Sequence, residues 1–128
     1  MQQKTNFRVG LYLRLSKDDD RQGESVSVET QRAILTDYCL EHAFTICKEY
    51  VDDGYSGLTF NRPGFQQLLE DVEAEEINMV ITKDLSRLGR DYIMTGYYAE
   101  IFFPMKGIRY IALADDVDSF KGNSDILP

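Results

Sequence analysis

Tyr12, Arg14 and Ser16 alternate along an apolar run, Val9-Gly10-Leu11-Tyr12-Leu13-Arg14-Leu15-Ser16. Further along comes a second basic cluster, Lys83-Asp84-Leu85-Ser86-Arg87-Leu88-Gly89-Arg90, and between the two lies Asn61-Arg62-Pro63-Gly64. A strand turns successive side chains to opposite faces, so Tyr12, Arg14 and Ser16 share one face and Leu11, Leu13 and Leu15 the other. A hydroxyl delivered beside several guanidiniums is suited to attack on a phosphodiester. Such an ester is shielded by its own negative oxygens, so attack needs a positioned nucleophile, cationic clamps and a proton route. Ser16 is the candidate nucleophile. Arg14, Arg62, Arg87 and Arg90 are the candidate clamps, because guanidinium matches phosphate bidentately and keeps its charge. The single histidine, His42, falls in mid-helix and reads as a packing or surface residue. Activation of the serine then has to be electrostatic, or to use Asp53 or a water polarised by arginine.

These residues need elements to hold them. Phe7 to Ser16 reads as a buried first strand, followed by a polar loop over 17–27. Ser27 is placed to cap a helix over 28–43, with Ile34, Leu35, Tyr38, Cys39 and His42 at helical spacing. Phe44 to Val51 reads as a second strand, and residues 52–64, punctuated by Gly and Pro, as a loop. Phe65, Leu68, Leu69 and Val72 mark a second helix. Ile77 to Thr82 is apolar throughout, as a parallel strand covered on both faces would be. Asp91 to Met105 reads as a third helix closed by Gly107, and Ile108 to Leu113 as a fourth strand. Strands alternating with helices predict an α/β fold, a mostly parallel sheet of four or five strands flanked by helices. The polar residues singled out follow the carboxyl ends of strands one, two and three, where such folds place their sites.

With 128 residues the chain is expected to form one domain. Its 43% hydrophobic and 28% charged residues are ordinary for a soluble globular protein. No run is long and apolar enough to span a bilayer and no amino-terminal signal pattern is present, so a cytoplasmic protein without membrane contact is the expectation. Cys39 and Cys47 lack metal-site spacing and read as free core thiols. The net charge of −8 excludes a whole-surface nucleic-acid footprint. An acidic body with a local basic pocket fits a catalytic domain whose DNA affinity comes from elsewhere, and equally a binder of small anions. Asp18 to Asp20 read as a solvated loop.

Five segments in register carry a resemblance: Tyr12-Leu13-Arg14-Leu15-Ser16, Val26-Ser27-Val28-Glu29-Thr30-Gln31, Asp53-Gly54-Tyr55-Ser56-Gly57, Asn61-Arg62-Pro63-Gly64 and Ser86-Arg87-Leu88-Gly89-Arg90-Asp91. Together they resemble the amino-terminal catalytic domain of a serine recombinase, the resolvase–invertase family. The acidic insert before Val26 resembles the large members, the phage integrases and transposon-excision enzymes. The resemblance implies site-specific DNA recombination through a covalent 5′-phosphoserine at Ser16. It implies that Arg14, Arg87 and Arg90 surround the scissile phosphate, with Arg62 as a further active-site arginine. Tyr12 and Gln31 match supporting positions, and Asp53 matches the acidic residue after the second strand, with Asp52 as the alternative one register away. Ser86 stands where small resolvases carry an aspartate, leaving Asp84 or Asp91 as substitutes. No metal or nucleotide cofactor is implied, because the phosphoserine bond conserves the energy of the broken strand. The implied partners are double-stranded DNA, held by domains outside this chain, further copies forming a dimer and a synaptic tetramer, and a directionality factor. On the same basis residues 1–128 are expected to be a catalytic domain cut before a long oligomerisation helix and the DNA-binding domains, since the chain stops at Ile126-Leu127-Pro128 soon after the fourth strand.

Two readings compete with this one. A receiver-like phospho-signalling domain would share the alternating fold, but it needs a carboxylate trio around a metal, and arginines follow Asp84. A catalytically silent module of recombinase descent would have lost Ser16 or an arginine, and all are present.

Overall fold

The computed structural model describes residues 6–16 and 26–120. Asp18 to Asp20, most of the polar loop over 17–27 and the terminus at Ile126-Leu127-Pro128 lie outside the described residues. In chain order the elements are β1 (Arg8–Leu15), α1 (Val28–Glu41), β2 (Thr45–Asp53), α2 (Pro63–Glu73), β3 (Met79–Thr82), α3 (Leu85–Leu88), α4 beginning at Tyr92–Tyr97, β4 (Arg109–Ala112) and β5 (Val117–Asp118). The strands form one five-stranded sheet in the order β2-β1-β3-β4-β5. Four run parallel, and β5 returns antiparallel to β4. This is the mostly parallel α/β sheet expected from the alternation of strands and helices.

The sheet is covered on both faces, and the sequence of β1 shows why. Val9, Leu11 and Leu13 pack with Val28, Leu35 and Cys39 of α1. Tyr12, on the opposite face, packs with Phe65 and Leu68 of α2 and with Ala99 and Phe103 beyond them. One strand thereby feeds two cores, which requires apolar side chains in both parities. On α1 the buried stripe is Val28, Gln31, Leu35 and Cys39. Ile34 falls outside it and is exposed, and the helix ends at Glu41, so His42 is an exposed C-cap residue and not the mid-helix one expected. Ser27 caps α1 as expected, its side chain accepting from the Thr30 N–H at 3.1 Å. Of the two free cysteines, Cys39 is buried and Cys47 is exposed. The expectation of two core thiols therefore fails at Cys47, because β2 is an edge strand with most of its side chains open to solvent.

The chain passes from β1 outward to β2 and then crosses to β3 on the other side of β1. The boundary between β1 and β3 is thus the point where winding reverses, and folds of this kind place their sites there, at the carboxyl ends of the strands. β3 pairs with β1 only from Val9 to Leu11, so Tyr12 to Leu15 run on past it. That overhang carries Arg14 and leads directly into Ser16.

The third expected helix, Asp91 to Met105, is present as α4, and a further helical turn that was not expected precedes it. α3 is a single turn over Leu85–Leu88, and Gly89 then extends, with φ −179° and ψ 163°. Asp91 caps the next helix, accepting from the N–H groups of Ile93 and Met94. α4 then loosens into a π-helical stretch over Tyr98–Phe102 and closes with a turn over Phe103–Met105. Among the described residues no helix is long and apolar enough to cross a membrane.

Candidate active site

At this switch point a buried network joins Tyr12, Arg62 and Asp52. The Tyr12 hydroxyl donates to Asp52 Oδ2 at 2.6 Å and accepts from Arg62 Nη1 at 2.6 Å. Burial pushes the Tyr12 phenol far above its usual range, and the bond to Asp52 adds to this while the Arg62 charge opposes it. The hydroxyl therefore keeps its proton and bridges the two charges. Asp52 has a second task. Arg62 precedes α2 without capping it through its side chain, and Pro63 fills the first helical position. The Asp52 carboxylate caps the helix from the neighbouring strand, accepting from Gly64 N at 2.8 Å and Phe65 N at 3.0 Å. A negative group at that end also suits the helix dipole.

Arg62, fully buried, continues the network to α3. Its Nε donates to Thr59 O at 2.6 Å and Nη2 to Leu88 O at 2.7 Å, while its guanidinium lies 4.6 Å from the Phe60 ring centroid. Arg14 does the same from β1. It is also fully buried, donating from Nε to Arg87 O at 3.0 Å, from Nη1 to Tyr55 O at 3.1 Å and from Nη2 to Ser86 O. The last four carbonyls of a helix have no partner within it. In α3 the Gly89 N–H takes Leu85 O, Arg14 takes Ser86 O and Arg87 O, and Arg62 takes Leu88 O. One turn of helix, too short to stand alone, is held by two arginines from other elements at the end its dipole makes negative.

Gln31 fixes the main chain of Arg14. Its amide donates to Arg14 O at 3.0 Å and to Val26 O at 2.8 Å, and its Oε1 lies 3.4 Å from Arg14 N. Where β3 has ended, this side chain stands in for a strand. Arg87, 1% exposed, donates from Nη1 to the same Arg14 carbonyl at 2.9 Å. Asp84 caps α3, accepting from Arg87 N at 3.0 Å and from Ser86 Oγ at 2.7 Å. Arg90 lies beyond the Gly89 extension, its N–H on Gly57 O at 2.7 Å. Arg87 and Arg90 thus belong to different backbone segments. Arg87 is inside α3, and Gly89 breaks the helix before Arg90.

Ser16 follows directly on β1, 9% exposed and one alternation step beyond Arg14. Tyr12, Arg14, Gln31, Arg62 and Arg87 are brought together with it at the strand ends. Asp53 is not: it is exposed at the end of β2, and Asp52 is the acid that enters the network. The reason is parity. β2 continues through both residues, and the face that buries Tyr50 also buries Asp52.

Sequence reasoning gave no weight to the carbonyls of Tyr55, Thr59 and Leu88, which leave no trace in side-chain types. Gly57 stands out in the sequence only as the end of the Asp53-Gly54-Tyr55-Ser56-Gly57 motif. A Cβ there would lie 2.7 Å from Arg14 Nη2 and 2.9 Å from Arg90 Cγ, so the absent side chain is what lets the loop close on both arginines. Among the described residues no three His, Cys, Asp or Glu side chains are grouped to hold a metal ion.

Fold and site together define the class: an α/β domain with three buried arginines at the switch point of a parallel sheet and a buried serine at the end of its first strand. Solved structures share this architecture. The amino-terminal catalytic domain of TP901-1 integrase superposes with a TM-score of 0.82 at 27% identity, over 93% of this chain and 86% of that one. A resolvase family site-specific recombinase from Streptococcus pneumoniae superposes with a TM-score of 0.70 at 26% identity, over 94% and 80%. Uncharacterized immunity region protein 3 of Bacillus phage phi105 is 30% identical over 73 residues, 57% of this chain and 88% of that protein. The family model for the resolvase N-terminal domain matches residues 9–125, and the chain belongs to that family. It is a serine-recombinase catalytic domain, an enzyme of site-specific DNA recombination.

Proposed function

We propose that this domain breaks and rejoins DNA through Ser16. In the cleavage step the Ser16 Oγ–phosphorus bond forms and the bond from phosphorus to the 3′ oxygen breaks. The serine proton departs, a proton reaches the 3′ oxygen, and the 5′ phosphate stays on the protein. Rejoining reverses the step with a 3′ hydroxyl from another strand. Arg14, Arg87 and Arg90 offset the charge that grows on the phosphate oxygens. Arg62, Tyr12 and Asp52 hold α3 and α2 beneath them, and Gln31 fixes the strand that presents the serine. Asp53 is exposed and stands outside the Tyr12 network, while the register of β1 and β2 sets it opposite Leu15, the residue before Ser16.

One observation carries this reading: β1 runs from the buried Arg14 into the buried Ser16, and Arg14 and Arg87 each donate to the other's carbonyl. The net charge of −8 supports DNA affinity from other segments, with copies associating into dimers and a synaptic tetramer. Similarity to TP901-1 integrase and to an IS607-like serine recombinase, the ISC1926 TnpA catalytic domain (TM-score 0.64, 26% identity over 82% of this chain and 66% of that one), supports integration or excision of a mobile element in the cytoplasm.

The test is covalent trapping. Full-length protein is incubated with its site DNA in chelator, stopped with denaturant and analysed for protein on 5′ ends. The expected adduct maps to Ser16 and vanishes in Ser16→Ala, while site binding persists. Site binding without an adduct in the unmutated protein would overturn the proposal.

A further inference from the structure

Asp84 makes more contacts than a helix cap requires. Its Oδ1 accepts from the Arg87 N–H at 3.0 Å, which is the capping bond, and also from the Ser86 hydroxyl at 2.7 Å. The same oxygen lies 3.5 Å from Arg87 Nε, and Oδ2 lies 3.2 Å from Lys83 Nζ. Ser86 Oγ in turn is 3.3 Å from Arg87 Nη2. The guanidinium of Arg87 is therefore flanked by Asp84 and Ser86 along one edge, and by the Arg14 carbonyl at Nη1.

We propose that Asp84 is a positioning residue for strand cleavage, its carboxylate acting directly and through Ser86 to hold the Arg87 guanidinium in the orientation that receives the phosphate. This rests on the reading of Ser16 and Arg87 given above. The physical need is clear from burial. A guanidinium 1% exposed, near a second buried guanidinium on Arg14, is costly unless an anion faces it. Capping alone does not need that charge, because Asn caps a helix about as well as Asp. The carboxylate is charged at neutral pH: burial works to raise its pKa, but the Ser86 hydroxyl, the Arg87 charge and Lys83 together outweigh it and hold it below the usual range. A small error in the aim of Arg87 reaches the chemistry, since a displacement of about 1 Å in a reacting group can cost on the order of a hundredfold in rate.

The test separates charge from capping. Asp84→Asn in the full-length protein keeps an N-cap oxygen and removes the charge. Cleavage by the folded protein, read as the rate of covalent adduct formation on site DNA well below the unfolding temperature, should fall at least tenfold, and the thermal midpoint should fall too, because the buried Arg87 loses the anion that faces it. Adding Ser86→Asp to that variant returns a carboxylate to the same edge of Arg87 and should recover part of the lost rate. In the present chain, labelled with 15N, Asp84→Asn should also shift the Arg87 Nε–H resonance. Asp84→Asn that folds and cleaves at the unmutated rate would overturn the proposal. So would an unshifted Arg87 resonance, or a double variant that folds and cleaves no faster than Asp84→Asn alone. An unmutated protein that binds its site and forms no adduct would instead overturn the reading of Ser16, and this proposal with it.

Discussion

Replacing Gly57 with alanine tests whether the loop after β2 sets the arginines. The backbone at Gly57 is not in the left-handed region, so alanine brings no conformational strain and the effect is steric. The new Cβ would stand 2.7 Å from Arg14 Nη2 and 2.9 Å from Arg14 Cζ, while ordinary contact begins at 3.4 Å, so the guanidinium or the loop must retreat by about 0.7 Å. Arg14 cannot move alone, because it is bonded to the carbonyls of Tyr55, Ser86 and Arg87. Overpacking of this kind costs about 1–3 kcal/mol of stability. For the chemistry, a shift approaching 1 Å predicts a loss of roughly ten- to a hundredfold in cleavage rate. Gly54→Ala is the matched control. Its Cβ meets nothing within 4 Å, but φ is +95°, so it should lose about 1–3 kcal/mol to strain without crowding the arginines. Urea unfolding of both variants, with single-turnover adduct formation by their folded fractions, separates the two effects. Equal cleavage rates for Gly57→Ala and the unmutated protein would refute the claim that the close approach of this loop positions Arg14.

Two further predictions concern acids. Asp52→Asn should cost about 2–3 kcal/mol in urea unfolding, because its amide group would face donors from Tyr12, Gly64 or Phe65, whereas Asp53→Asn should stay within about 0.5 kcal/mol. On acidification, Asp71 and Asp84 should both withdraw stability. At Asp71 burial tends to raise the pKa, but the Tyr50 hydroxyl, Lys48 and Gln67 outweigh it; both carboxyls end below their ordinary value. A depressed carboxylate stabilises the fold above its unfolded pKa and loses that contribution as pH falls through the folded one. Urea midpoints should therefore drop below about pH 4. Asp71→Asn should flatten that drop, and an unchanged acid slope in this variant would remove Asp71 from the account.

Period-two alternation made much of the site legible. It put Tyr12 and Arg14 on one face, and the structure sends both into the arginine network. The same rule would have chosen Asp52 over Asp53 had β2 been carried past Val51, but the Gly-rich loop that follows drew the boundary too early. Arg62 carried no sign of its depth, since its burial depends on the carbonyls of Thr59 and Leu88 and on the Phe60 ring. α3 was hidden for the same reason. Four residues have little helical tendency of their own, and what stabilises them comes from β1 and from the loop before α2. The two-residue β5 is equally short, and it forms because Arg109 and Asp118 pair across it at 2.7 Å.

Arg14 grips the main-chain oxygens of Tyr55, Ser86 and Arg87. Every amino acid offers the same carbonyl, so positions 55 and 86 can change identity while the clamp persists, provided the backbone path is kept. Substitutions there could then vary how this enzyme handles its DNA without dismantling the scaffold. What this grip does require is the long side chain at position 14 and the bare backbone at position 57 that makes room for it.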